Sequence, residues 1–120
     1  MAVELTNELG TITISEDLIL DIAGHAAVEN YGIVGMNAKR AGDSFIELFR
    51  IDNLRRGVEL TAVSPDTVDI DLYVTLEYGV SLPAVAENVK SNVRYRVESL
   101  VGVNVRLVNV HVEGVRVTAQ

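Results

Sequence analysis

Two histidines, His25 and His111, stand far apart in the chain, and no cysteine accompanies them. A metal centre needs converging ligands, usually announced by HExxH or paired CxxC spacing. Neither spacing occurs, so His25 reads as a boundary residue of a helix core, and no metal or other cofactor is expected. Asp69, Asp71 and Glu77 form a second group of reactive types. Acid–base chemistry requires two carboxylates in unlike environments. Alternate positions on one strand give them like environments, so they read as a solvated sheet face.

The glycine-rich stretch from Gly32 to Gly42 has the composition of a phosphate loop. It lacks the Gly-Lys-Ser/Thr ending that sets lysine and hydroxyl on phosphates and magnesium, and it follows a helix pattern rather than a strand. A turn and a connection are the better reading. No serine sits in a Gly-x-Ser-x-Gly elbow. Tyr73 stands among acids, where a stacked RNA base would bring phosphates against carboxylates. A protein contact suits it better. These residue types, at these spacings, point away from catalysis.

The elements that must carry these residues follow from periodicity. Gly10 to Ile14 alternates as a short strand, and Ser15 is placed to cap a helix whose first turn holds Glu16 and Asp17. Ile19, Ile22, Ala23 and Ala26 recur at helical spacing to about Asn30, and Gly32 stops the helix. Residues 33–57 are irregular; Phe45, Leu48 and Phe49 share a face of a short helix capped by Asp43, the preferred reading, with a strand over 43–50 as the alternative. Gly57 opens a strand that ends in the Ser64-Pro65-Asp66-Thr67 turn.

The next strand alternates most cleanly. Val68, Ile70, Leu72, Val74 and Leu76 face one way, and Asp69, Asp71, Tyr73, Thr75 and Glu77 the other, as expected of an antiparallel strand with one wet face. Ser81 caps a second helix with Pro83 in its first turn. Val85, Val89, Val93, Val97 and Leu100 form its buried stripe, and Gly102 ends it. The last strand carries Val103, Val105 and Leu107 in one phase and Val108, Val110 and Val112 in the other. Such a slip turns every side chain over, so a β-bulge is expected near Leu107.

The fold class expected is therefore α+β. Its order is βαββαβ, a split βαβ or ferredoxin-like layer pair, with two helices on one face of a mainly antiparallel four-stranded sheet. At 120 residues it reads as one domain, 1–120, with no internal repeat. Seventeen acids against ten bases leave a net charge of −7, which disfavours nucleic acid and anionic lipid as partners. The exception is a basic stretch from Lys39 to Arg56, which sustains an alternative reading as a nucleic-acid or ribosome-associated module. No run approaches the roughly 18 apolar residues of a membrane span. Met1 to Leu5 lacks the basic start and apolar run of a signal peptide, so a cytoplasmic location is expected.

Several stretches in fixed order carry a family likeness. They are Gly10 to Ser15, Ile22 to Ala27, Tyr31 to Met36, Arg56 to Leu60, Val68 to Val74, Glu77 to Val80, Leu100 to Val105 and Val108 to Val115. Together they resemble the alkaline-shock, general-stress family of envelope stress response proteins from Gram-positive bacteria, in its small housekeeping branch. The resemblance spans about Glu8 to Val117 and implies a non-enzymatic cytosolic protein that supports envelope homeostasis. It also implies possible partners: a second copy of the chain, a membrane-anchor protein, or a dihydroxyacetone-kinase-like protein of fatty-acid phosphorylation to which the chain would be an accessory subunit. It offers no catalytic residue to transfer.

The leading expectation is a protein-interaction module that contacts other proteins, itself included. Its candidate surface comprises Tyr31, Ile33, Val34 and Met36 after the first helix, Asp69, Asp71 and Tyr73 on the wet sheet face, and Val108 and Val110 on the last strand.

Overall fold

A computed structural model describes residues 2–37, 47–48 and 51–117. β1 (Ala2–Asn7) and β2 (Gly10–Ser15) pair as an antiparallel hairpin in which Val3 opposes Ile14 and Leu5 opposes Ile12. Its turn is closed by the Asn7 side chain, which accepts a hydrogen bond from the Leu9 amide at 2.8 Å. Val3 is buried and roots the hairpin in the core, whereas Leu9 at the tip is 97 % exposed. The strand expected at Gly10 to Ile14 thus exists but stands outside the main sheet. Its neighbour in sequence matches it residue for residue, and so short a loop closes at little entropic cost.

α1 (Glu16–Val28) begins where Ser15 Oγ accepts from the Leu18 amide, with Glu16 and Asp17 in its first turn. It buries Ile19, Ala23, Ala26 and Ala27. β3 (Ile33–Asn37), the two-residue β4 (Glu47–Leu48) and a 3₁₀ segment (Ile51–Gly57) follow. Two strands and a 3₁₀ turn thus lie within 33–57, the segment expected to be irregular. The alternative of helix or strand over 43–50 falls mostly outside the described residues; within them, β4 pairs with β3.

β5 (Val58–Ser64), β6 (Thr67–Glu77), α2 (Leu82–Val101) and β7 (Asn104–Arg116) complete the chain. Ser81 Oγ accepts from the Ala84 amide at the start of α2. Gly102 closes the helix at φ +83°, a left-handed conformation costly to any residue with a Cβ.

β6 is the axis of the sheet. Along one edge it pairs in parallel with β7 through its whole length. A strand has only two edges, so β5 and β3 share the other, end to end: β5 along Thr67 to Leu72 and β3 along Val74 to Leu76, both antiparallel. β4 lies outside β3. Val68, Ile70, Leu72, Val74 and Leu76 of β6 are fully buried with the apolar stripes of α1 and α2 in one core cluster. The chain is therefore α+β, but its element order is ββαββββαβ. The simpler βαββαβ order is corrected by the amino-terminal hairpin and by the strands between α1 and β5.

The slip in the valine phase is structural. Val68 opposes Val105 and Asp69 opposes Leu107, which leaves Arg106 as an extra residue, a bulge beside the expected Leu107. A second shift, between Val112 and Gly114, leaves Glu113 extra. Between the two, Leu107 to Val112 run in unbroken register with Asp69 to Val74.

Candidate functional site

The open face of the sheet, opposite the helices, was expected to be wet. Instead Asp69, Tyr73 and Thr75 are buried there, at 9 %, 6 % and 1 % exposure. The cover comes from polar side chains of the flanking strands. Arg106, displaced by the bulge, reaches back to Asp69 with two hydrogen bonds, Nε to Oδ1 at 3.0 Å and a terminal nitrogen to Oδ2 at 2.5 Å. That guanidinium holds the Asp69 carboxyl below its ordinary range. Asn109 donates to Asp71 Oδ1 at 3.1 Å, and His111 Nε2 lies 3.0 Å from the same oxygen.

His111 stands opposite Tyr73 in the β6–β7 register, and their rings stack with centroids 4.5 Å apart and planes 11° apart. The Tyr73 hydroxyl donates to Glu59 Oε1 on β5 at 3.3 Å. Burial, and then the carboxylates of Glu59 and Asp71, push the Tyr73 pKa up to about 12. Further along, Thr75 donates to the Asn37 side-chain carbonyl at 2.6 Å. Every buried side-chain nitrogen or oxygen among the described residues has a partner. The arrangement binds strand to strand. Its carboxylates are occupied by Arg106, Asn109 and His111, and no group of three His, Asp or Glu residues among the described ones converges as a metal site.

The outer edge of β7 is a different kind of feature. β7 pairs with β6 alone, so among the described residues its other edge meets no strand. Where the strand begins, α2 caps that edge: Glu98 Oε2 accepts from the Val105 amide, and Arg94 donates to the Arg106 carbonyl. Beyond the bulge the edge opens onto a groove of about 360 Å³ between α2 and β7. Glu87, Lys90, Ser91 and Arg94 line one side, and Leu107, Val108 and Asn109 the other. Leu107 is 47 % exposed there, a large apolar side chain on an open sheet edge.

The residues singled out in the sequence do not form one surface. Tyr31 is exposed in the turn after α1, but Ile33 and Val34 are half-buried and Met36 is fully buried. Asp69, Asp71 and Tyr73 do come together, with β7 over them. Val108 is buried and Val110 half-buried within the helix-facing core, so the groove reaches Val108 only at its rim. Arg106 and Asn109, which sequence reasoning passed over, and His111, which it weighed only as a metal ligand, hold the network. Their signal was the bulge itself, which marks where β7 re-aims its side chains. Of the basic stretch, Lys39, Arg40 and Arg50 lie outside the described residues. Arg55 is bound to Asp17 and Asp21 at 3.3 and 3.0 Å, so it offers little free charge to a phosphate. No helix among the described residues is long and apolar enough to cross a membrane.

Comparison with known proteins gives a consistent picture. A model of the alkaline shock protein 23 family, described as of cell envelope-related function, matches residues 4–117. The chain is 41 % identical over 119 residues to the uncharacterized protein YloU of Bacillus subtilis (strain 168), covering 98 % of each chain. It is 32 % identical to the uncharacterized protein Spy1614 of Streptococcus pyogenes serotype M6, over 100 % of this chain and 99 % of that one. It is also 32 % identical to the uncharacterized protein YqhY of Bacillus subtilis, over 90 % of this chain and 78 % of that one. No solved structure matches.

Proposed function

The chain belongs to the alkaline shock protein 23 family, of cell envelope-related function, and we propose that it serves the envelope as a cytoplasmic, non-enzymatic module that works by protein contact and associates with itself. The observation that carries this reading is β7. It is a thirteen-residue strand with one edge that meets no strand among the described residues, and that edge exposes Leu107 beside a groove. An open edge with apolar side chains is a template for pairing with another chain unless charge, proline or a cover blunts it. Here α2 caps the first residues of the edge, at Val105 and Arg106.

The test is genetic. Cells depleted of the protein should become sensitive to agents that damage the envelope, and the wild-type chain should restore resistance. Leu107→Lys puts a charge on the open edge without disturbing the core, and it should restore little or none. Full restoration by Leu107→Lys would refute a role for this edge. Unchanged sensitivity on depletion would refute the envelope role.

A further inference from the structure

The β1–β2 hairpin carries an apolar face that outruns the core it grows from. Cross-strand partners share a face, so Val3 with Ile14 and Leu5 with Ile12 stand on one side of the ribbon. Glu4, Thr6, Thr11 and Thr13 stand on the other, where the Thr6 and Thr11 hydroxyls meet at 3.1 Å. The root is tied to the body: the Glu4 amide donates to the Pro65 carbonyl at 3.1 Å, and Leu5 lies near Gly102 at the end of α2. Outward from that root the apolar face loses its cover step by step. Val3 is buried, Leu5 and Ile14 are half-buried, Ile12 is 60 % exposed, and Leu9 at the tip is bare. The turn does not need a leucine there. It uses the Leu9 amide, which donates to Asn7, and any residue but proline would supply that donor. Charge is equally one-sided. Residues 2–17 hold Glu4, Glu8, Glu16 and Asp17 and no lysine or arginine. Asp17 is bound to Arg55, whereas Glu4 and Glu8 meet no cation among the described residues.

We propose that this arm, a surface separate from the β7 edge, docks a short basic amphipathic helix of another protein. The helix sets its apolar side on Leu5, Ile12 and Leu9, and its lysines or arginines are drawn to Glu4 and Glu8. An apolar sheet face is buried by a helix laid across it, as β6 is by α1 and α2. A ribbon of two strands is about as wide as one helix. Each strand has six residues, a span of about 20 Å, and the root half is already in the core. Roughly two turns of helix match the open part. The same carboxylates select against other occupants. The hairpin of a second copy would bring like charge against like, and an anionic lipid surface would repel the arm. Apolar contact supplies the adhesion, and charge sets the choice of partner.

Fluorescence anisotropy of a labelled synthetic helix, leucine on one face and lysine on the other, tests this against the full chain. The wild type should bind it, and the double variant Leu9→Ser, Ile12→Thr should bind at least about tenfold more weakly. Both positions are exposed and threonine keeps the strand preference, so the variant should fold, which circular dichroism checks. Leu107→Ser, on the β7 edge, should bind as the wild type does, which keeps this surface distinct from that one. Glu4→Gln with Glu8→Gln should weaken binding and flatten its dependence on salt. A peptide of the same composition with its leucines scattered round the helix should bind poorly. Equal binding of that scrambled peptide, or no loss in the Leu9→Ser, Ile12→Thr variant, would reduce the effect to general attraction by an acidic protein and overturn the proposal. So would a wild type that binds no peptide. Flotation with phosphatidylcholine vesicles supplies the last arm. Wild type that floats, and a double variant that does not, would make the arm a lipid contact and overturn the helix as its occupant.

Discussion

Tyr73 is the residue on which the open sheet face turns. Its ring lies against His111, its hydroxyl reaches Glu59, and its surroundings hold the proton up to about pH 12. In an unfolded chain tyrosine releases that proton near about pH 10. Between those values the unfolded state has lost a proton that the folded state keeps, so stability falls as pH rises through this window and is undiminished below it. Tyr73→Phe should remove this alkaline fall, together with the highest-pH phase of tyrosinate absorbance. A variant that loses stability above pH 10 as steeply as the wild type would contradict the assignment. Asp69 works in the opposite range: Arg106 holds its carboxyl low, so its contribution is present above the usual aspartate range and lost as pH falls through the depressed value. The sequence showed Asp69, Asp71 and Tyr73 as one row, because alternation is local. It could not show what covers them, since Arg106 and His111 arrive from a strand more than thirty residues away.

At the scale of elements, helix boundaries were the most legible. Ser15 and Ser81 cap as their types require, and Gly102 ends α2 in the left-handed conformation. The alternation of β6 identified its buried face without error, because a central strand under two helices has no choice of side. Pairing was not legible. The β1–β2 hairpin took the expected first strand out of the sheet, and nothing local said that β3 and β5 would share one edge of β6. Leu100, assigned to the α2 core stripe by spacing, is 65 % exposed. Periodicity names a face and cannot say how far along the helix the cover extends. Gly24 shows the same limit from the other side. Inside α1 it costs roughly 1 kcal/mol against alanine, and the compensation is close packing with the 3₁₀ segment. A Cβ at Gly24 would stand 3.1 Å from Leu54 Cβ and 3.2 Å from the Leu54 carbonyl. Leu54 is 2 % exposed and has no room to retreat. Gly24→Ala should therefore lower stability by about 1–2 kcal/mol despite the helix propensity gained, read as a lower urea midpoint with an unchanged slope. A raised midpoint would show that the 3₁₀ segment yields.

For the whole molecule, the strongest features are a sheet whose central strand is covered on both faces and a last strand that, among the described residues, pairs along one edge only. The first keeps Asp69, Asp71 and Tyr73 in structural use. The second leaves a groove and an apolar side chain where another chain can add. The acidic balance of −7 keeps such molecules apart at low ionic strength, so association should strengthen as salt rises to physiological levels and screens the net repulsion. The measurement that bears most directly on the account is the mass in solution by light scattering over a concentration series at physiological salt. The account predicts a mass that rises above 13.0 kDa with concentration, reversed by dilution and suppressed by Leu107→Lys. A mass fixed at one chain across the series would contradict it.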